Sequence, residues 1–438
     1  MANTYLKRSL GTATSQQKGT FSYWVKRGKI GTSQQIYSNE VENDNNRGYI
    51  QFESNDSWRS VIGASGSSEI VVKTNRLFRD ASAWYHIVVR IDTTQGTSTD
   101  RFRLYVNGVQ ETSFATYTIC DQNATLKIFE GGQTNKNNIG AGYPAGSYFD
   151  GSISHFHFSD GYSYAPTVFG ETDTTTGEWK GKTSPSVTYG NNGFFILKDG
   201  NGITDQSGEG NNWTVGGGTL TDLKDNPDNV FATLNPLWTQ ESTRVPTLTY
   251  GNTMFSGGSS STWYQTIGTL GFSSGKYYWE AKYNAGTNLG KNLIGAIGID
   301  GVSSGVFYEK TPSVFYKNED GGETRVNNSQ SSGNYGTLAQ NDILGCAIDM
   351  DASTPTATFY KNGTALVSNI SLTGFAGKTI VPAVSTYSSG EFQMNFGNGS
   401  FGGTALTGTT YSGADGSSTF QYEPPTGYSA VSTKGLNA

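Results

Sequence analysis

Cysteine is almost missing from this chain of 438 residues: only Cys120 and Cys346 occur, too few for a disulfide framework or a cysteine-based metal site. Amphipathic segments of 3.6-residue period and ordinary helix length are also lacking, so almost no helix is expected. Charged residues make up only 15% of the chain and are mixed in sign, with a net charge of -6 and no stripe of Lys and Arg. That balance argues against nucleic acid as a partner. No apolar run approaches the roughly 18 residues that cross a bilayer. Lys7-Arg8 leads into Ser9-Leu10-Gly11-Thr12 rather than the apolar core of a leader. These absences predict a chain made in a cytoplasm and not inserted into a membrane.

What the sequence does have is turn formers and β-prone residues, with 58 glycines and 13% aromatic residues. The stretch from Asn341 to Gly363 is the most informative. Leu344, Cys346, Ile348 and Met350 alternate with Ile343, Gly345, Ala347 and Asp349, so both faces of one strand are largely apolar and the strand belongs inside a layered stack. Thr356 to Lys361 follows as a second strand and ends in Asn362-Gly363, the pair suited to the positive φ angles of a type I′ hairpin. The same device closes Arg101 to Val106 with Asn107-Gly108. Two β domains built by the same rules are predicted.

Along the first third, strands are expected at Phe21 to Val25, Tyr49 to Phe52, Glu69 to Lys73, Trp84 to Asp92, Arg101 to Val106, Thr125 to Phe129 and Phe149 to Phe158. Phe21 to Val25 with Lys26-Arg27, Trp84-Tyr85-His86, Arg103 to Gly108 and Phe149 to Ile153 together resemble the landmarks of a laminin G-like, concanavalin A-type jelly roll. From Ala165 to Pro236 the chain turns polar and rich in Thr and Gly, yet Phe194 to Leu197 is an apolar run that would be costly to leave in water. An ordered bridge with at least one strand is expected there.

Beyond Leu237-Trp238, Gly275 to Glu280, the glycine-spaced Ile294 to Ile299, and Phe392 to Gly397 follow in an order that resembles the SPRY (B30.2-like) sandwich. The predicted fold class is therefore all-β, with two jelly-roll/β-sandwich domains, concanavalin A-like over 1–165 and SPRY-like over 237–438, joined by the bridge 166–236. The ending Glu423 to Tyr428, with Ala430 to Thr433 after it, resembles that of phage-encoded proteins that fuse these two modules. The resemblance implies a non-enzymatic virion protein of a phage of an aquatic bacterium, of cyanophage type. Such a protein would be assembled in the host cytoplasm and displayed in multiple copies on the particle as a tail-fibre or appendage component or a capsid-decorating knob. Its partners would be other virion proteins and a host-surface glycan or receptor.

Candidate chemistry is sparse. Glu171, Asp173 and Glu178 are the best acids for the rival reading, a depolymerase or glycoside hydrolase, because concanavalin A-type folds include glucanases. The turn-like Thr174 to Gly177 between them argues against a shared strand face. His86, His155 and His157 are the only histidines, and a buried hydrogen-bonded role is expected for His86 rather than metal binding. The resemblance allows a structural calcium ion in the first module, but the acidic stretches Glu42 to Gly48 and Asp225 to Asn229 lack a regular ligand spacing, so no metal or cofactor residues are assigned. Loop aromatics are the better functional material, since Tyr and Trp stack on sugars and pack on proteins. Tyr308, Tyr316, Tyr335 and Tyr387 are the candidate contacts, flanked by the Ser/Asn/Gly-rich runs Ser256 to Thr262 and Asn327 to Gly336.

Overall fold

The computed structural model describes residues 3–40, 47–65, 68–132, 136–198, 202–238, 244–284, 291–302, 305–319, 321–331 and 333–438. Among them, regular structure is β-strand apart from short 3-10 turns and one α-helix, Thr433–Leu436. No helix among the described residues is long and apolar enough to cross a membrane. The chain divides into two compact units, Met1–Asp222 and Leu223–Ala438.

That division leaves no separate bridge over 166–236, while the strand expected within it does pair back onto a sheet. Phe194–Ile196 adds to one sheet of the first unit beside Gly151–Asp160, and Thr214–Gly217 adds to the other beside Tyr5–Arg8. Phe194, Ile196 and Trp213 are buried in the first unit's core. From Leu223 onward the chain joins the second unit, where Ala232 N–H donates to Val431 O at 2.8 Å. The apolar side chains in the polar segment decide this, because each gains roughly 1.5 to 3 kcal/mol on burial.

The first unit stacks an eight-stranded sheet on a six-stranded one. The larger runs in the order Phe114–Thr118, Glu69–Leu77, Ser57–Gly63, Arg47–Phe52, Gln34–Glu40, Asn137–Ile139, Tyr5–Arg8 and Thr214–Gly217. The smaller runs Phe194–Ile196, Gly151–Asp160, Lys18–Arg27, Trp84–Asp92, Phe102–Val106 and Val109–Gln110. Tyr23, Val25, Ile87, Val89 and Ile91 meet Ile50, Phe52, Ile62 and Val72 between the layers. Arg27 is fully buried there, and its Nη1 donates to Asp56 Oδ1 at 2.9 Å and to Phe78 O at 2.7 Å. The expected strand from Thr125 to Phe129 is instead a 3-10 turn, Lys127–Phe129, because Ile128 and Phe129 point into the core from one tight bend.

In the second unit, Thr247–Thr249, Met254–Ser256, Glu391–Asn395, Lys276–Tyr283, Ile343–Asp349, Thr356–Lys361 and Thr364–Ser371 form one sheet, with Ser429–Ala430 parallel to Lys276–Tyr283. The opposing sheet runs Trp263–Ile267, Ile380–Tyr387, Asn292–Gly298, Ser313–Lys317, Glu323–Val326 and Ser329–Gln330. Leu344, Cys346, Ile348 and Met350 face the core between the two sheets. Ala347 faces away and packs with Tyr278, Phe231, Phe420 and Ala430, so the C-terminal segment covers the outside of this sheet. Beneath that cover lies Glu280, which is fully buried. Its carboxylate accepts from Tyr422 N–H at 2.8 Å, Gln421 N–H at 2.9 Å and Asn395 Nδ2 at 3.0 Å, yet burial still raises its pKa to about 7.

The Asn-Gly pairs at 107–108 and 362–363 sit in hairpin turns with positive φ at both residues, 48° and 77° at Asn107-Gly108 and 50° and 80° at Asn362-Gly363. Each asparagine also does something the turn type alone does not require. Asn107 Oδ1 accepts the backbone N–H of His86 at 2.8 Å, and Asn362 Oδ1 accepts that of Ile343 at 2.8 Å. The side chain thereby extends the sheet's hydrogen bonding one step past the end of the strand.

Candidate functional site

The six-stranded sheet of the second unit has an inner face in the core and an outer face with its own chemistry. Register places Gln265 opposite Ser385, Ser385 opposite Leu293, Leu293 opposite Lys317, and Lys317 opposite Glu323. The next row of the same face runs Ile267, Ala383, Gly295, Phe315 and Arg325. Period-2 alternation puts these side chains opposite Ile294, Ala296, Val314, Tyr316 and Val384, which fill the inter-sheet core. On the outer face, Ile267, Leu293, Ile297, Phe307, Phe315, Val381 and Ala383 form a second, smaller apolar cluster. A 3-10 turn, Phe307–Glu309, packs onto it. That turn is held by Gln265, whose Nε2 donates to Gly305 O at 2.7 Å and whose Oε1 accepts Phe307 N–H at 3.1 Å.

Above this floor, Trp263 stands between two tyrosines. The Tyr308 ring lies 5.5 Å away at 66°, and the Tyr387 ring 5.6 Å away at 71°. All three are half-buried. A cation sits over each tyrosine: Lys291 Nζ is 4.8 Å from the Tyr387 centroid, and the Arg325 guanidinium carbon is 5.3 Å from that of Tyr308. The result is a row of Lys291, Tyr387, Trp263, Tyr308 and Arg325 drawn from separate parts of the chain, a cation at each end and three rings between. The two ends differ in charge. Arg325 Nε donates to Glu323 Oε1 at 2.9 Å, and Lys317 pairs with the same carboxylate at 3.2 Å. Lys291 is solvent-exposed.

Of the four tyrosines singled out from sequence, the structure brings Tyr308 and Tyr387 together around Trp263 and puts the others elsewhere. Tyr316 is fully buried and donates to Gly336 O, so packing and not surface contact is its role. Tyr335 is half-buried and packs against the same core. Sequence reasoning passed over Trp263, Lys291 and Arg325. Trp263 carried a usable signal, since it follows the hydroxyl-rich Ser256 to Thr262 and opens the alternation Trp263, Gln265, Ile267. Lys291 and Arg325 carried none, because only pairing across strands brings them to the tyrosines.

The remaining candidates lie in the first unit. Glu171, Asp173 and Glu178 fall on or beside a two-stranded ribbon, Gly170–Thr172 with Trp179–Gly181, rather than on a face of either sandwich sheet. Asp173 accepts from Lys180 Nζ at 2.9 Å, which holds its carboxyl well below the usual range. His86 is buried between Trp24 and Trp179, its Nδ1 accepting the Trp179 indole N–H at 2.9 Å and its Nε2 lying 2.8 Å from Ser22 Oγ. An indole N–H can only donate, so Nδ1 is unprotonated and Nε2 carries the hydrogen. Burial lowers the His86 pKa to about 3. His157 stacks on Phe195 at 3.8 Å with Nδ1 2.8 Å from Tyr189 Oη, and Nδ1 of His155 lies 2.8 Å from Ser154 Oγ. Among the described residues no three of His, Cys, Asp and Glu gather as a metal site. Asp225 Oδ1 accepts Phe231 N–H at 3.3 Å, and most of the stretch from Glu42 to Gly48 lies outside the described residues.

Residues 2–168 match the concanavalin A-like lectin/glucanases superfamily, and residues 276–399 match the SPRY domain. The chain carries both domains. The SPRY match takes in Lys291, Tyr308, Arg325 and Tyr387, whereas Trp263 precedes it. Solved structures similar to part of the chain include the SPRY domain of human HERC1, at 18% identity over 37% of this chain and 96% of that one with a TM-score of 0.29. The TRIM65 PSpry domain is 12% identical over 37% of this chain and 88% of that one, TM-score 0.30. A human SPRY domain is 21% identical over 32% and 90%, TM-score 0.27. No curated protein matches the chain.

Proposed function

We propose that the protein is a non-catalytic binding protein displayed on a bacteriophage particle, as a tail-fibre or appendage component or a capsid-decorating knob, and that it contacts a host-surface glycan or protein. The observation that carries the binding reading is the row Lys291, Tyr387, Trp263, Tyr308 and Arg325. Half-buried rings on a rigid sheet give contact area at small entropic cost, and flanking cations orient a partner. The phage assignment rests on the order of the two modules and on the ending Glu423 to Tyr428.

Gold-labelled antibody against the chain should decorate tails or capsids of intact phage that encode it, and unlabelled particles would overturn the virion assignment. The rival reading, hydrolysis of host polysaccharide, draws on the superfamily's inclusion of glucanases. Incubation with host polysaccharide should release no new reducing ends. Sustained release would make the protein a depolymerase.

A further inference from the structure

We propose that the Lys291 end of this row binds an anionic polysaccharide, with a sugar ring in the corner between Trp263 and Tyr387 and the sugar's carboxylate at Lys291. The inference rests on the reading of this face as a binding surface and adds the class of ligand.

The charges decide the sign of that ligand. At the Arg325 end the guanidinium shares the Glu323 carboxylate with Lys317, so an incoming anion gains little there. At the other end Lys291 is exposed over Tyr387. The chain as a whole is acidic, with a net charge of -6, so a polyanion is not drawn to it at large and must be held by a local cation. The surroundings favour a sugar over an acidic peptide. Trp263 and Tyr387, at 71° to each other, form an aromatic corner in which one ring can cover the C–H face of a pyranose while the other closes its side. The adjoining run Ser256 to Thr262 offers hydroxyls and backbone amides, with Ser259, Ser260 and Ser261 exposed and no apolar side chain to form pockets for peptide residues.

Native gel electrophoresis of the full chain through gels containing polygalacturonate, dextran or poly-L-glutamate tests this. Polygalacturonate should retard the protein and dextran at least about tenfold less strongly, since the neutral polymer lacks the carboxylate. Trp263→Ala and Lys291→Glu should each weaken retardation by about tenfold or more, while Lys291→Arg keeps it. Lys291 is an exposed residue, so its two variants test the site even if Trp263→Ala disturbs the fold, and an unchanged melting transition of the second unit certifies each. Equal retardation by dextran, retardation by poly-L-glutamate as strong as by polygalacturonate, or no effect of Lys291→Glu would each overturn the anionic-glycan assignment. Any of these leaves the virion assignment standing, because that is decided by labelling of particles.

Discussion

The indole N–H of Trp179 donates to Nδ1 of His86 at 2.9 Å across 93 residues of chain. One hydrogen bond thus ties the polar segment after 165 to the outer face of the first unit's six-stranded sheet. Gly108 lies under the same indole, where an added Cβ would come within 2.5 Å of the ring. Trp179→Ala should therefore lower the stability of the first unit by roughly 2 to 4 kcal/mol, combining lost packing with a buried imidazole nitrogen left without a donor. Calorimetry of the full chain checks it.

Acidification should act on the two units in opposite directions. His86 has a folded pKa of about 3 against 6.5, so its contribution to stability is complete above pH 6.5 and is lost as pH falls toward 3. His157 is also lowered by burial and adds in the same sense. Glu280 has a folded pKa of about 7 against 4.5, so its contribution is complete below pH 4.5 and is lost as pH rises through 7. The Glu280 effect amounts to roughly 3 kcal/mol at most. Melts between pH 4 and 8 should show the first unit gaining and the second losing stability as pH rises, and Glu280→Gln should flatten the second trend.

Gly108→Val and Gly363→Val should each cost roughly 1 to 3 kcal/mol, because a β-branched residue is strained at positive φ. The first should lower the transition of the first unit and the second that of the second unit. Equal loss in both transitions from either variant would show that the two cores melt together.

Tyr316 and Tyr387 should separate stability from recognition. Tyr316→Ala opens a cavity in the inter-sheet core and should cost roughly 3 to 5 kcal/mol, about what an aromatic-to-alanine change costs in a core. Tyr387→Ala, at a half-buried position, should cost roughly 1 kcal/mol or less and appear instead as weaker retention on polygalacturonate. Chemical denaturation and the gel assay read the two effects.

The sequence was most legible where local pattern and tertiary need coincide. Trp84–Asp92 has the bounds its alternation implied, and Asn107-Gly108 and Asn362-Gly363 form the turns their chemistry favours. It was least legible where partners lie far apart. A polar composition set 166–236 aside as a bridge with at least one strand, yet Phe194, Ile196 and Trp213 are enough to join 166–222 to the first sandwich. The same limit governs the candidate site. Tyr308 and Tyr316 are equally aromatic and eight positions apart, but one tops a 3-10 turn on the outer face and the other faces the core. Strand parity could have flagged Tyr316, since it alternates with Phe315 on the opposite face. Nothing local could have joined Lys291 to Tyr387.

The pinned asparagines of the two hairpins also bear on how the molecule ages. An Asn-Gly bond is chemically fragile, because the glycine amide nitrogen can attack the asparagine carboxamide and close a succinimide ring with loss of ammonia. In both turns the carboxamide oxygen is engaged instead by the N–H of the neighbouring strand, that of His86 or Ile343. Ring closure requires the carboxamide to leave that partner, so each hairpin must first open. Succinimide and isoaspartate at Asn107 and Asn362 would then accumulate in step with local opening, a slow chemical clock whose rate records how often each strand end comes undone.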